Sequence, residues 1–202
     1  PGLTINPAVG SAPFCLYFPD QWDPKSPWHD RRVRLATNLA LDLKTINDAL
    51  TLGHSRLTGS IFPENFEFYW RPPAPVYDPG RARKLLAEAG HARGFNAGDY
   101  YCDASYANIG EVVLNNLREV GIQVKLRPLE RAAFFKEYGE KKLKYVIQSG
   151  SAAPGNAATR LEAFAVAGGQ YVYGSYPEVD GLYSEQAGET NARARRQILD
   201  KL

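Results

Sequence analysis

Between Asp99 and Ser149 the chain switches repeatedly between the two hydrophobic periods, and few folds accept that order. Asp99–Ala104 reads as a strand, Asn108–Val120 as a helix ended by Gly121, and Ile122–Arg127 as an alternating strand. Leu129–Lys141 then reads as a helix and Lys144–Ser149 as a strand. Strands alternating with helices of this length predict an α/β layer with helices packed on a sheet. Where its strands run parallel, the crossovers are right-handed.

The flanks are mostly helical. The leading segment, residues 1–28, is loop-rich: Pro7, Pro13, Pro19, Pro24 and Pro27 punctuate it, and Phe14–Phe18 reads as one short strand. Val33, Ala36, Leu39 and Ala40 recur at helical spacing, while Arg31, Arg32, Arg34 and Asn38 take the other faces. This predicts an amphipathic helix over 29–42 with Asp30 near its start. A shorter helix follows at 43–51, then an aromatic, proline-rich stretch from Ser60 to Pro75 that includes Phe68 and Trp70. Asp78-Pro79 starts another helix, since Asp caps free amides and Pro has no amide hydrogen to leave unsatisfied. Its apolar face is Ala82, Leu85, Leu86 and Ala89, and Gly90 ends it. After the small-residue loop Gly150–Asn156, helices are predicted at 157–167, 177–187 and 191–202.

Composition excludes several function classes. With 202 residues, 44% of them apolar and 23% charged, the chain can bury a core of its own as one domain. A net charge of +2 gives no basic stripe for nucleic acid. No apolar run approaches the roughly 18 residues of a membrane span. The chain starts at Pro1 and contains no Met, so it reads as an excised or processed piece, and a missing signal peptide says nothing about its compartment. Cys15 and Cys102 are too few for a disulfide scaffold. Two buried thiols is the plain reading, with a single bridge left open for an exported protein.

Catalytic and cofactor chemistry lacks its usual residues. His29, His54 and His91 lie far apart in no metal-binding spacing. No Gly-x-Ser-x-Gly elbow is present, and His54-Ser55 reads as a surface-loop pair, so an enzyme is not predicted. The loop from Gly150 lacks both Gly-x-Gly-x-x-Gly and Gly-Lys-Ser/Thr, so neither a nucleotide nor any other cofactor is predicted. It does follow the third strand of the alternating segment, and in open α/β sheets ligands bind beyond the carboxyl ends of strands. Gly150, Ser151 and Asn156 are therefore candidate ligand contacts. Tyr100, Tyr101 and Tyr106 cluster near another strand end and can supply rigid, amphipathic walls. Arg160, on the first turn after the loop, is placed to meet a ligand carboxylate.

The order of motifs carries a resemblance. SPWHDRRVRLATNLALD (Ser26–Asp42), YDPGRARKLLAEAG (Tyr77–Gly90) with Gly94-Phe95, LNNLREVGIQVKL (Leu114–Leu126) and YPEVDGLYSEQAGE (Tyr176–Glu189) with Arg196 resemble the extracellular solute-binding proteins, family 5, of ABC transporters. These are the peptide/nickel/opine-type binders, and the likeness runs from about residue 10 to 202. It implies an α/β fold with a mixed sheet flanked by helices, forming one lobe, domain III, of a type II periplasmic-binding-protein-like clamshell. On this reading 1–202 is a single lobe, with 29–202 as its α/β body and the other lobes outside the chain.

The resemblance further implies a periplasmic or extracellular protein, free or lipid-anchored. It would close around a small solute and deliver it to membrane permease subunits. On the same resemblance, peptide-binding members carry an Asp in the loop after the third strand, and Ala153 falls near that place here. An ammonium group buried there would lack a counter-charge, so the expected ligand is an aromatic, acidic or sugar-like solute rather than an ordinary α-peptide. An oligopeptide binder, or a sensor or chaperone subunit on the same fold, stays open as the alternative.

Overall fold

The computed structural model describes residues 10, 12–66, 69, 71–150 and 157–202. Among them a four-stranded sheet has the order β1-β4-β2-β3, with β1 at Phe14–Tyr17, β2 at Phe95–Asp103, β3 at Ile122–Leu129 and β4 at Val146–Gly150. β2 runs parallel to both β3 and β4, and β1 is antiparallel to β4. The sheet is therefore mixed, as expected.

The helices are α1 (Arg31–Ala40), α2 (Leu43–Thr51), α3 (Pro79–Glu88), α4 (Ala107–Glu119), α5 (Arg131–Gly139), α6 (Ala157–Phe164), α7 (Pro177–Gly188) and α8 (Ala192–Leu199). Their starts follow the local chemistry of the sequence. Asp30 accepts from the Arg32 amide, Asp42 from that of Thr45 and Asp78 from that of Arg81, each satisfying an otherwise orphaned first-turn donor. The helix expected from residue 29 begins later, because Pro27–His29 forms a 3₁₀ turn before Asp30 caps α1.

Topology puts helices on both faces. From β2 the chain steps through α4 to β3 on one side, then returns through α5 to β4 on the other. Reversing direction at constant handedness requires opposite faces. Accordingly Val113 and Leu117 of α4 join Tyr100, Cys102, Val146, Trp28, Val33 and Leu86 in one core. Phe134 and Tyr138 of α5 join Ile147 and Leu143 in a second core on the other face, edged by Tyr17, Tyr101, Tyr171 and Tyr173. In the first core the Trp28 indole is fully buried, stacks on Phe18 at 4.6 Å and donates to the Ala97 carbonyl.

Strand limits differ from the periodicity at identifiable places. β2 starts four residues before the expected Asp99, because Gly98 sits at φ +85° and shifts the register between Asn96 and Asp99, which breaks the alternation. β3 continues through Pro128 to Leu129. It is the edge strand beside β2, where a residue with no amide hydrogen is tolerated. β4 starts at Val146 rather than Lys144, after Tyr145 at φ +63°. Two of the last three helices end earlier than expected, α6 at Phe164 and α8 at Leu199, while α7 runs one residue past its expected end to Gly188.

The cysteines are both free. Cys15 pairs in register with Ser149 on β4, which separates β1 from β2, and its neighbour Leu16 faces the core that holds Cys102. The two thiols thus lie on opposite faces of strands roughly 9–10 Å apart, beyond the reach of a bridge. Burial raises each thiol pKa to about 11.

Candidate functional site

The β2-α4-β3 and β3-α5-β4 crossovers pass over opposite faces of the sheet, so the crevice beyond the carboxyl ends of the central strands, β2 and β4, is a topological switch point, where open α/β sheets bind ligands. A pocket of about 50 Å³ lies there. Asp103 closes β2, Gln148 and Gly150 close β4, and Phe14 enters from the start of antiparallel β1. Ala12, Tyr106, which precedes α4, and Arg131, Phe134 and Phe135 of α5 complete the lining. A wider groove of about 440 Å³ lies between Pro24–Asp30 and the Ala89–His91 turn. It is next to the amino end of β2, the wrong end of the sheet for a ligand site by the same rule.

The polar groups of the pocket hold one another in place. Asp103 is only 4% exposed, and its Oδ1 accepts from the Ser105 amide at 2.9 Å. Its Oδ2 accepts from Arg131 Nη1 at 2.8 Å. The guanidinium of Arg131 also lies over the Phe135 ring, 5.3 Å from its centroid, while the side chain stays 58% exposed. Gln148, likewise buried, accepts from Tyr100 Oη at 2.8 Å and donates through Nε2 to the Tyr106 carbonyl at 3.2 Å. Phe14 packs edge-on against Tyr106 with centroids 4.8 Å apart. The result is an aromatic-walled depression with one exposed cation held against a buried carboxylate.

The expected site residues are placed differently from one another. Tyr106 and Gly150 are at the pocket. Tyr100 has no exposed surface: it lies under Gln148, and burial pushes its phenol well above its ordinary pKa. Tyr101 points to the opposite face, where its hydroxyl donates to Asp99, itself paired with Arg127 at 2.9 Å. Arg160 is 2% exposed, between the rings of Phe66 at 5.3 Å and Phe164 at 5.8 Å and near the Cys15 thiol. Desolvation there lowers its pKa. Ser151, Ala153 and Asn156, and with them the loop that carries the Asp in peptide binders, lie outside the described residues.

Asp103, Arg131, Gln148, Phe14, Phe134 and Phe135 were not legible as site residues. One signal was available: Asp103 ends a strand, as Gly150 does, and the strand-end rule applied to one applies to the other. Among the described residues no cluster of three or more His, Cys, Asp or Glu side chains could hold a metal ion.

The model of the bacterial extracellular solute-binding proteins, family 5 Middle, matches residues 2–171. The chain is 27% identical over 190 residues to heme-binding protein A of Haemophilus influenzae, covering 86% of this chain and 34% of that protein. Its fold matches the dipeptide binding protein of Pseudoalteromonas sp. SM9913 solved with Met-Leu, at TM-score 0.82 and 23% identity over 96% of this chain and 40% of that one. It matches AgaA of A. tumefaciens solved with agropinic acid at TM-score 0.81 and 20% identity, over 96% and 41%. The chain therefore spans between a third and about two fifths of the length of these relatives.

Proposed function

Because the chain belongs to the bacterial extracellular solute-binding proteins of family 5, we propose that it is the domain III lobe of an ABC transporter binding protein. It presents one wall of a ligand cleft. The rest of such a protein supplies the facing wall, the two close on a small solute by a hinge motion, and the loaded protein delivers it to membrane permease subunits outside the cytoplasm. No covalent step is involved. The observation that carries this reading is the coincidence of the family match with an aromatic pocket at the switch point beyond β2 and β4.

The ligand is an acidic or aromatic organic solute. Supporting this, the one pocket carboxylate, Asp103, is committed to Arg131 and to the Ser105 amide, so a solute ammonium finds no open counter-charge among the described lining residues. A peptide is the second reading, favoured by the neighbour solved with Met-Leu.

A thermal-shift screen of the protein in the full form its gene encodes tests the proposal, using peptides, aromatic acids, sugars and metal chelates. A ligand that binds only the native state raises the apparent melting temperature by mass action. Stabilisation by one class, without turnover of it, is the expected result. Catalytic turnover, or no stabilisation by any class, overturns the reading.

A further inference from the structure

We propose that Arg131 selects the ligand by receiving a solute carboxylate on the guanidinium edge turned away from Asp103. This rests on the reading that the ends of β2 and β4 form a ligand wall. The guanidinium is fixed from two directions: Nη1 donates to buried Asp103 at 2.8 Å, and the Phe135 ring lies 5.3 Å from its central carbon. Nε and Nη2 donate to no acceptor among the described residues, and the side chain is 58% exposed at the pocket. A planar fork already held at one end matches the two oxygens of a carboxylate with little ordering left to do.

Asp103 is the positioning residue. Each of its oxygens already accepts a bond, one from the Ser105 amide and one from Arg131, and the residue is buried, so its charge is committed to orienting the cation rather than to a ligand ammonium. Phe14, Tyr106 and Phe134 supply the rest of the wall as apolar rings. The solute class this fits is a carboxylic acid with a flat or apolar body, the acid on Arg131 and the body against the rings.

The experiment measures binding of matched probes to the full gene product: phenylacetate against phenylacetamide, hippurate against hippuramide, and phenethylamine as the cation. Acids bind in preference to their amides by roughly 10- to 100-fold, the range expected of a hydrogen bond to a charged group. Arg131→Gln abolishes that preference. Arg131→Lys, which keeps a cation for Asp103 and guards against loss of fold, retains part of it. The proposal is overturned if the wild type binds amides as well as acids, if phenethylamine binds best, if no acid binds, or if folded Arg131→Gln keeps the preference. A protein that binds only neutral or cationic solutes refutes this assignment and leaves the solute-binding reading standing, whereas one that binds no solute class refutes both.

Discussion

Tyr100 donates a 2.8 Å hydrogen bond from its phenol to Gln148 Oε1, joining the core side chains of two adjacent strands beneath the pocket. Both residues are buried, so neither group has water as a substitute partner. Tyr100→Phe removes the donor and leaves the Gln148 oxygen unsatisfied, at a cost of roughly 1–3 kcal/mol. A urea unfolding curve with a lower midpoint and an unchanged slope is expected. An unchanged midpoint would show that the bond contributes nothing.

Gly98 carries the bulge that begins β2 early. At φ +85°, a Cβ there would lie 2.4 Å from Cγ of Tyr145, whose ring covers the position. Gly98→Ala thus meets both backbone strain, on the order of 1–2 kcal/mol, and a clash. In a Tyr145→Ala background the clash disappears and the backbone cost remains. A double-mutant cycle in unfolding free energy is expected to show favourable coupling between the two changes, and additivity would refute it.

The separated cysteines give a pH prediction. Each thiol is raised from an ordinary 9.0 to about 11 by burial, so the unfolded chain loses its thiol protons at lower pH than the folded one. Between about pH 9 and 11 the native state binds more protons, and stability falls as pH rises. The buried phenols of Tyr100 and Tyr138 are raised too and add to the fall above pH 10. Replacing both cysteines with Ala should flatten the decline just above pH 9 in a series of thermal melts. Alkylation of the native protein at neutral pH should be slow, and a reductant should leave the melting temperature unchanged.

Helix α3 is legible because its punctuation is local: Asp78 and Pro79 start it, and Gly90, at φ +89°, follows its end. The start of β2 is not, because the positive φ of Gly98 breaks the period on which strand reading depends. Tyr100 and Tyr101 look equivalent in sequence, yet the pleat sends them to opposite faces and into different cores. Arg160 adjoins the expected loop, but its surroundings include Phe66, a residue far back in the chain that no local pattern brings to it. Arg131 was hidden for the same reason. Its partner Asp103 lies 28 residues earlier, and only the β2-α4-β3 crossover puts the carboxylate beside the start of α5.

That pairing makes Asp103→Asn an informative change. The amide keeps a carbonyl oxygen for the Ser105 N–H, but turns an NH₂ group towards Arg131 Nη1, setting donor against donor. Arg131 then loses one of its two supports while keeping its full charge and its place over Phe135. Destabilisation is modest, roughly 1–3 kcal/mol for a broken hydrogen bond to a buried charged group, and is discounted because Arg131 is itself more than half exposed. Acid binding should weaken less than in Arg131→Gln, since the cation remains and only its orientation is freed. Titration of phenylacetate against both variants checks this order. Equal losses would mean that Asp103 contacts the solute itself, and an unaffected Asp103→Asn would mean that Phe135 alone suffices to hold the guanidinium.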